Sequence, residues 1–414
     1  MVFAVSTTAT EGKAPKILTV REVYQPPSAS RSNGRVVPIK HENQVDFGAE
    51  IYGIDLNNFN SADFDLISDA LHRHKLLVFK EQPQMLTPQQ QYRLTSCLLF
   101  NSFDPDEKTG GFAHGADPVL LSDKGVTIYG LPNRPAINAQ PQVHILGRGE
   151  VPQDHFDFPP GFQVKGIDHV NFHLPPHTPQ EERDAGSSRL YQWHWDGSLY
   201  KIPPPRVGCL LAVRTPKGPD VTVHWGDGTG RTMNIAPGAT AMVAGSRALQ
   251  VLDPELRELV LNSRIEYAPH AFQWMSTVRS TRLGHLIETE GREMPLDKLS
   301  PWIEDEICIY PMVWTNPVTG EKSLQVHGQG ASKLYLKSNP KDEETVVSDL
   351  KEVRAFLDNP VLSPENIYAH PHEKQDVILW YNRALWHSIT EFPESYGPRI
   401  MHQCNIAASD HPSV

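Results

Sequence analysis

The chain has 414 residues, enough for one large β-rich domain or two ordinary ones. Its formal net charge of −11 argues against nucleic acid as a partner, because a phosphate backbone demands a basic surface. The 36 prolines and 28 glycines indicate many turns and long ordered loops, and a hydrophobic fraction of 39% still allows a substantial core.

The cysteines and the N-terminus bear on the compartment. Four cysteines are scattered without paired spacing, which indicates reduced thiols. The N-terminus has no basic start followed by an apolar core, and no apolar run is long enough to span a membrane. We therefore expect a soluble, cytoplasmic protein with no membrane association.

The first hundred residues are predicted to contain a tail, two helices and a strand. Residues 1–30 have little apolar periodicity and are expected to be a mobile tail. A helix is predicted over 61–74. Ser61 can cap its first turn, and its apolar residues form one stripe along the helix. It leads into a short apolar run at 76–79, typical of a strand buried on both faces. A second helix is expected to begin at 87–90, a capping box with proline at the first helical position.

The remainder is predicted to be rich in strands. Residues 100–160 are irregular and are expected to form a functional loop or lid. From about residue 163, short β-type runs alternate with turn signals, a density typical of a sandwich or barrel of jelly-roll type. No composition break marks a boundary, so 31–414 is predicted to be a single large domain, mainly β with flanking helices. The expected strands are 221–225, 239–243, 307–313, 377–381 and 399–406, and the expected helices are 253–262 and 342–357.

A His-x-Asp pair and a late histidine form the candidate metal site. His194 and Asp196 stand two residues apart, and side chains two apart on a strand point to the same face. His387 must then come from a distant strand folded alongside. Two imidazoles and one carboxylate on one face of iron(II) leave three positions open for a cosubstrate and dioxygen. The pair alone is weak evidence, because a chain with 19 histidines contains one such pair by chance.

Zinc is the competing metal, since catalytic zinc sites also use two histidines and a carboxylate. Arg399, twelve residues after His387, favours iron. An arginine can hold the far carboxylate of a cosubstrate in a two-pronged ion pair, for which a zinc hydrolase has no general need. Thr222 could add a hydroxyl to the same carboxylate. The combination predicts an iron(II) centre with a dicarboxylate cosubstrate.

These residues carry a family resemblance. The chain resembles the non-haem iron(II), 2-oxoglutarate-dependent dioxygenases of the taurine-dioxygenase type over most of residues 45–406. The resemblance implies a double-stranded β-helix, 2-oxoglutarate bound to iron through its keto acid end, and its far carboxylate on Arg399. It also implies that the cosubstrate is converted to succinate and carbon dioxide while the substrate is hydroxylated. The residues that carry it are 47–56, 76–82, 86–87, His194, Asp196, 382–383, His387 and Arg399.

Within that family the chain is similar to the fungal xanthine hydroxylases. The similarity rests on Gln142 in Pro-Gln-Val-His-Ile-Leu-Gly, on Val-Lys-Gly at 164–166, on the stretch around His194, and on His-Gln-Cys-Asn at 402–405. It implies that Lys165 helps to bind 2-oxoglutarate or substrate, and that Gln403 and Asn405 contact a purine. A solvated strand face is the alternative for Lys165.

The chain departs from that subgroup at two places. The subgroup has a glutamine where this chain has His144, and two adjacent acids near the position of Glu182-Arg183. Both His144 and Glu182 are candidate substrate contacts, although Glu182 lies in a polar loop where a solvated charge is the alternative.

Alternation along the last predicted strand places Arg399, Gln403 and Asn405 on one face. If Arg399 points at the cosubstrate, both amides point into the same cavity, where they cost free energy unless hydrogen-bonded. A planar heterocycle with N–H and C=O edges would satisfy them, and bonds to loop backbone are the alternative.

The leading hypothesis is therefore an oxygenase that converts xanthine to urate. An oxygenase for a sulfonate or an amino acid is an alternative within the same chemistry, in which Lys165 or His144 would supply a second cation. A catalytically silent jelly-roll binding protein is the alternative from another class. The oligomeric state is not predicted.

Overall fold

The computed structural model describes residues 32–103, 135–198, 200–348, 350, 360–408 and 410–414. The predicted tail lies outside these residues. The strands are β1 (Arg35–Pro38), β2 (Ala49–Tyr52), β3 (Leu76–Phe79), β4 (Ala136–Ile137), β5 (Gln140–Glu150), β6 (Gln163–Val164), β7 (Ser187–Ser188), β8 (Val207–Arg214), β9 (Val221–His224), β10 (Thr232–Ile235), β11 (Thr240–Ala244), β12 (Arg264–Tyr267), β13 (Ile309–Pro311), β14 (Val313–Thr315), β15 (Lys322–Leu324), β16 (Ala331–Leu336), β17 (Thr345–Val347), β18 (Tyr368–His370), β19 (Val377–Tyr381), β20 (Leu385–Ile389) and β21 (Arg399–Asn405). The α-helices are α1 (Ser61–His74), α2 (Pro88–Phe100), α3 (His169–Phe172), α4 (Gln180–Asp184), α5 (Gly245–Gln250), α6 (Pro254–Asn262) and α7 (Ala271–Trp274).

The largest sheet has nine strands in the order β1-β2-β3-β19-β8-β21-β5-β4, with β6 paired to β5. Its neighbours are antiparallel except for β2 and β3, which are parallel. The central strands β3, β19 and β21 are buried along their whole length. A strand covered on both faces reads as a continuous apolar run, which is why the sequence pattern located β3 and β19 correctly.

A three-stranded sheet of β18, β11 and β20 packs against the inner face of the large sheet. The two sheets meet through apolar side chains, which form a core layer between them. The protein is mainly β. The large sheet contributes Leu76, Val78, Leu210, Ala212, Ile378, Trp380 and Met401, and the small sheet contributes Met242, Ala244 and Leu385.

Helices α1 and α2 cover the outer face of the large sheet. Ile67 of α1 and Leu94 of α2 are fully buried in one cluster with Ile400 and Cys404 of β21. Asn60, and not the predicted Ser61, caps α1: its Oδ1 accepts from two backbone N–H groups of the first turn. The predicted start of α2 is confirmed, with Thr87 Oγ1 accepting from the backbone N–H of Gln90.

Three predicted elements differ in the structure. Residues 140–150 form the long strand β5, not irregular chain, while 104–134 lie outside the described residues, so the lid stays a prediction. The helix predicted over 342–357 is wrong at its start, where β17 pairs with β16, and residues 349 and 351–359 are not described. The run at 307–313 is broken into the two short strands β13 and β14.

No helix in the described ranges is long and apolar enough to cross a membrane. All four cysteines are buried and free.

Candidate active site

The histidine and aspartate of the motif lie beside the late histidine. The backbone N–H of His194 donates to His387 O at 3.1 Å, and the N–H of His387 donates to His194 O at 2.8 Å. Nε2 of His194 lies 3.6 Å from Asp196 Oδ1, and Nε2 of His387 lies 3.6 Å from Asp196 Oδ2. Their candidate ligand atoms all lie within 4.8 Å of one another. The predicted triad is therefore brought together.

The segment that carries His194 is extended but is not the regular strand that the sequence predicted. It pairs with the neighbouring chain only through isolated bridges, Leu190 with Thr390 and His194 with His387. The register shifts by one residue between these two bridges, and this shift interrupts the ladder. His387 does lie on a strand, β20, as predicted.

Local hydrogen bonds select the nitrogen of His194 that can bind a metal. Nδ1 of His194 lies 2.9 Å from Gln192 O, and a carbonyl can only accept, so Nδ1 carries the proton. Nε2, the atom near Asp196, is then left with its lone pair free. A backbone carbonyl on the second ring nitrogen is the usual way in which a protein orients a metal-binding imidazole.

Asn382 holds Asp196 in place through its backbone. Its Oδ1 accepts from Asp196 N at 2.8 Å, and its Nδ2 donates to Asp196 O at 3.0 Å and to Pro205 O at 2.9 Å. Asn382 is fully buried in the turn between β19 and β20. The turn that leads into the strand of His387 therefore also orients the carboxylate.

The electrostatics favour an ionised carboxylate at Asp196 and a neutral imidazole at His387. Burial raises the pKa of Asp196, but the neighbouring rings of His387 and His194 outweigh it and hold this pKa well below its ordinary value. Burial, with the His194 ring beside it, lowers the pKa of His387. These are the states in which the two side chains can bind a divalent metal.

Arg399 is a buried cation that forms no ion pair with any residue that the structure describes. It begins β21, is 3% exposed, and its Nε donates to Gly238 O at 2.8 Å. Its Nη2 donates to Thr240 Oγ1 at 3.2 Å, while Nη1 has no hydrogen-bond partner among the residues that the structure describes. Burial lowers the pKa of Arg399 to about 10. Because a buried guanidinium is costly unless paired, this site fits a carboxylate ligand.

Thr240, not Thr222, is the threonine beside Arg399. Thr240 Oγ1 also lies 2.8 Å from His372 Nε2, so its hydroxyl proton can be donated to that ring. Thr222 sits on β9 with its neighbours Val221 and Val223 turned into the core, and its hydroxyl bonds Asn234 Oδ1 at 2.9 Å in an exposed position. The structure does not bring Thr222 to the arginine.

A polar row follows the inner face of β21 and its neighbour β5. Asn405 Nδ2 donates to Asp196 Oδ2 at 2.7 Å, and Gln403 Nε2 donates to the same oxygen at 3.3 Å. His144 Nε2 lies 2.9 Å from Gln403 Oε1. Gln142 shares the face of His144 by alternation. The predicted inward direction of the two amides is confirmed, but the partner is the candidate metal ligand, not loop backbone.

Comparison with known proteins bears on this geometry. Residues 36–405 match the model of the family described as taurine catabolism dioxygenase TauD, TfdA family. The chain belongs to the TauD/TfdA family.

Several proteins that are similar to this chain are fungal enzymes. The alpha-ketoglutarate-dependent xanthine dioxygenase xanA of Emericella nidulans is 39% identical over 369 residues, which are 88% of this chain and 94% of the relative. The xanthine dioxygenase xan1 of Schizosaccharomyces pombe is 34% identical over 99% of this chain and 97% of its own length. The xanthine dioxygenase xan-1 of Neurospora crassa is 36% identical over 91% of this chain and 87% of its own length.

Two residues that the sequence predicted as contacts of the cosubstrate or substrate have no hydrogen bond to the metal cluster. The side chains of Lys165 and Glu182 are exposed, and the structure gives neither a hydrogen bond nor an ion pair with any described residue. Their roles stay predictions.

Sequence reasoning missed three residues of the site. Asn382 was noticed only as part of a family motif, and its role as a clamp needed the fold. Thr240 and His372 carried no local signal, since only the pairing of β11 with β18 and β20 brings them beside Arg399. A search for hydroxyls on the inner face of the predicted strand 239–243 could have found Thr240.

Proposed function

We propose that this protein is an iron(II)- and 2-oxoglutarate-dependent dioxygenase that hydroxylates xanthine to urate. The observation that carries the chemistry is the combination of the His194, Asp196 and His387 cluster with the buried guanidinium of Arg399, which forms no ion pair within the described ranges. The observation that favours xanthine is the name shared by relatives that are 34–39% identical over most of the chain.

The residues of the site fit both iron(II) and 2-oxoglutarate. Two imidazoles and one carboxylate would hold iron(II) and leave open positions beside it. Arg399 would hold the far carboxylate of 2-oxoglutarate, with Thr240 fixing the direction of the guanidinium. When bound, iron and 2-oxoglutarate supply the oxidising chemistry, in which the cosubstrate is converted to succinate and carbon dioxide and the substrate gains one oxygen atom.

The chain's own contribution is binding, orientation and exclusion of water. His387 and Asp196 are buried, and the apolar side chains of Trp380 and Met401 close the inner wall. A dry interior strengthens the attraction between Arg399 and a carboxylate. We infer that the two facing sheets form a double-stranded β-helix. In this fold the metal cluster would lie at one end of the polar row. Arg399 would lie on the same strand as Gln403 and Asn405, the amides of that row.

A purine suits the polar row better than a sulfonate does. A sulfonate would require a second cation in the cavity, and the candidates are Lys165 and His144. Lys165 is exposed, and His144 is hydrogen-bonded to Gln403. The buried Oδ1 of Asn405, whose Nδ2 donates to Asp196, would instead accept from an N–H edge of an oxopurine. Gln142, on the same face as His144, is proposed to lie along that edge.

The test is a substrate panel on the full chain. Purified protein with iron(II), 2-oxoglutarate and oxygen is incubated with xanthine, hypoxanthine, taurine or no substrate, and succinate and urate are measured by mass spectrometry. We expect succinate formation to rise with xanthine alone, with urate formed in equal amount, and to be lost in His387→Ala. Succinate stimulated by taurine and not by xanthine would replace the substrate and keep the chemistry. No stimulated succinate and unchanged xanthine binding in His387→Ala would support a silent binding protein.

A further inference from the structure

Asp196 is held by its side chain as well as by its backbone. Its Oδ2 accepts from Asn405 at 2.7 Å and from Gln403 at 3.3 Å, and all three residues are buried. A carboxylate oxygen has about two lone-pair sites. Two amide donors therefore occupy the hydrogen-bonding capacity of Oδ2, while Oδ1 keeps its own.

We propose that Asn405 and Gln403 are positioning residues for the metal ligand, which leave Asp196 Oδ1 as the oxygen for the ion. The inference rests on the proposed metal centre and deepens it. A carboxylate that binds through one oxygen leaves three positions of a six-coordinate iron open, as the proposed chemistry requires.

The orientation of both amides follows from the charge of Asp196. An ionised carboxylate only accepts hydrogen bonds, so each amide must turn its NH₂ group toward it. Gln403 then presents Oε1 to Nε2 of His144, 2.9 Å away, which extends the network by one residue. His144, the histidine that departs from the subgroup pattern, is thus linked to Asp196 through Gln403.

Metal binding separates this proposal from a plain substrate contact. If Asn405 only touched substrate, its loss would leave metal affinity unchanged in the absence of substrate. If it positions Asp196, its loss weakens the site before any substrate is added. Residues that support a metal ligand typically change metal affinity by about 10–100-fold when they are removed.

To test the proposal, the full-length, metal-free protein is titrated with Mn(II), and free Mn(II) is followed by its electron paramagnetic resonance signal. We expect Asn405→Ala to weaken Mn(II) binding by about 10–100-fold, and Gln403→Ala, which has the longer bond, to weaken it less. The control is Gln91→Ala, which removes a buried amide of α2 that donates to His402 O from the outer side of the sheet and has no hydrogen bond to Asp196. Circular dichroism checks that each variant is folded.

Mn(II) affinities within about threefold of wild type in folded Asn405→Ala and Gln403→Ala would overturn the positioning role. Should Asn405→Ala not fold, the Gln403→Ala variant alone carries the same decision. Because no substrate is present, this result does not depend on whether xanthine is turned over.

Discussion

The side-chain amide of Asn382 makes a hydrogen bond to the N–H and another to the carbonyl of Asp196, a residue 186 positions earlier in the chain. This pair joins the turn before β20 to the metal motif. Since β20 also carries His387, one turn sets the relative position of two of the three proposed metal ligands.

Replacement of Asn382 by alanine should therefore weaken both the metal site and the fold. Its loss leaves three buried backbone groups without a partner, at a cost of about 1–3 kcal/mol each before water enters. We expect Asn382→Ala to lower the free energy of unfolding by roughly 3 kcal/mol and Mn(II) affinity by about tenfold or more. Urea denaturation and Mn(II) titration measure the two effects, and an unchanged Mn(II) affinity would contradict the clamp.

The two threonines provide a direct comparison between the sequence and the structure. Thr240→Val removes the acceptor of Arg399 Nη2 and should raise the KM for 2-oxoglutarate by about five- to twentyfold, equivalent to about 1–2 kcal/mol. Mn(II) affinity should not change. Thr222→Val, with its hydroxyl in an exposed position, is the matched control and should leave this KM unchanged. A larger effect at Thr222 than at Thr240 would restore the sequence-based assignment.

Gly208 provides the space for Trp380, whose ring contacts His387, a proposed metal ligand. A Cβ atom at Gly208 would lie 2.0 Å from the ring of Trp380, whose centroid is 5.2 Å from that of His387. We expect Gly208→Ala to destabilise the fold by about 1–3 kcal/mol through overpacking. Gly166→Ala, whose Cβ would have the flexible side chain of Arg148 as its nearest neighbour at 3.1 Å, is the control. Equal denaturation midpoints for both variants would show that the ring moves away at no cost.

Much of the site could be predicted because its signals are local. The motif spacing located His194, Asp196, His387 and Arg399, and continuous apolar runs located the central strands. The long strand β5 was missed since Gly147 and Gly149 resemble loop residues. The structure requires a glycine there: a Cβ at Gly147 would lie 1.8 Å from Arg399 O, and its φ is +127°. Such a requirement comes from the partner strand, which the local sequence does not reveal.

Buried histidines should make the fold sensitive to acid. Burial lowers the pKa of His169 and of His402 to about 3, with neighbouring charges contributing less. The unfolded chain takes up these protons below a pH of about 6.5, while the folded chain does not, so stability is complete above that pH and is lost as the pH falls toward 3. Each such histidine contributes about 1.4 kcal/mol per pH unit in that window.

Urea denaturation at pH 7 and pH 5 measures this loss. We expect a lower midpoint at pH 5, and a smaller difference in His402→Gln, which keeps a polar side chain that cannot take up the proton. An identical pH dependence in wild type and His402→Gln would mean that this ring is protonated in the folded state.

The iron and 2-oxoglutarate centre is tested most directly by visible absorption under nitrogen. Metal-free, full-length protein receives iron(II) and then 2-oxoglutarate. The predicted result is a weak charge-transfer band that requires both additions, is absent in His387→Ala, and needs much more 2-oxoglutarate in Arg399→Gln. A folded wild-type protein that gives no band at saturating iron and 2-oxoglutarate would contradict the account.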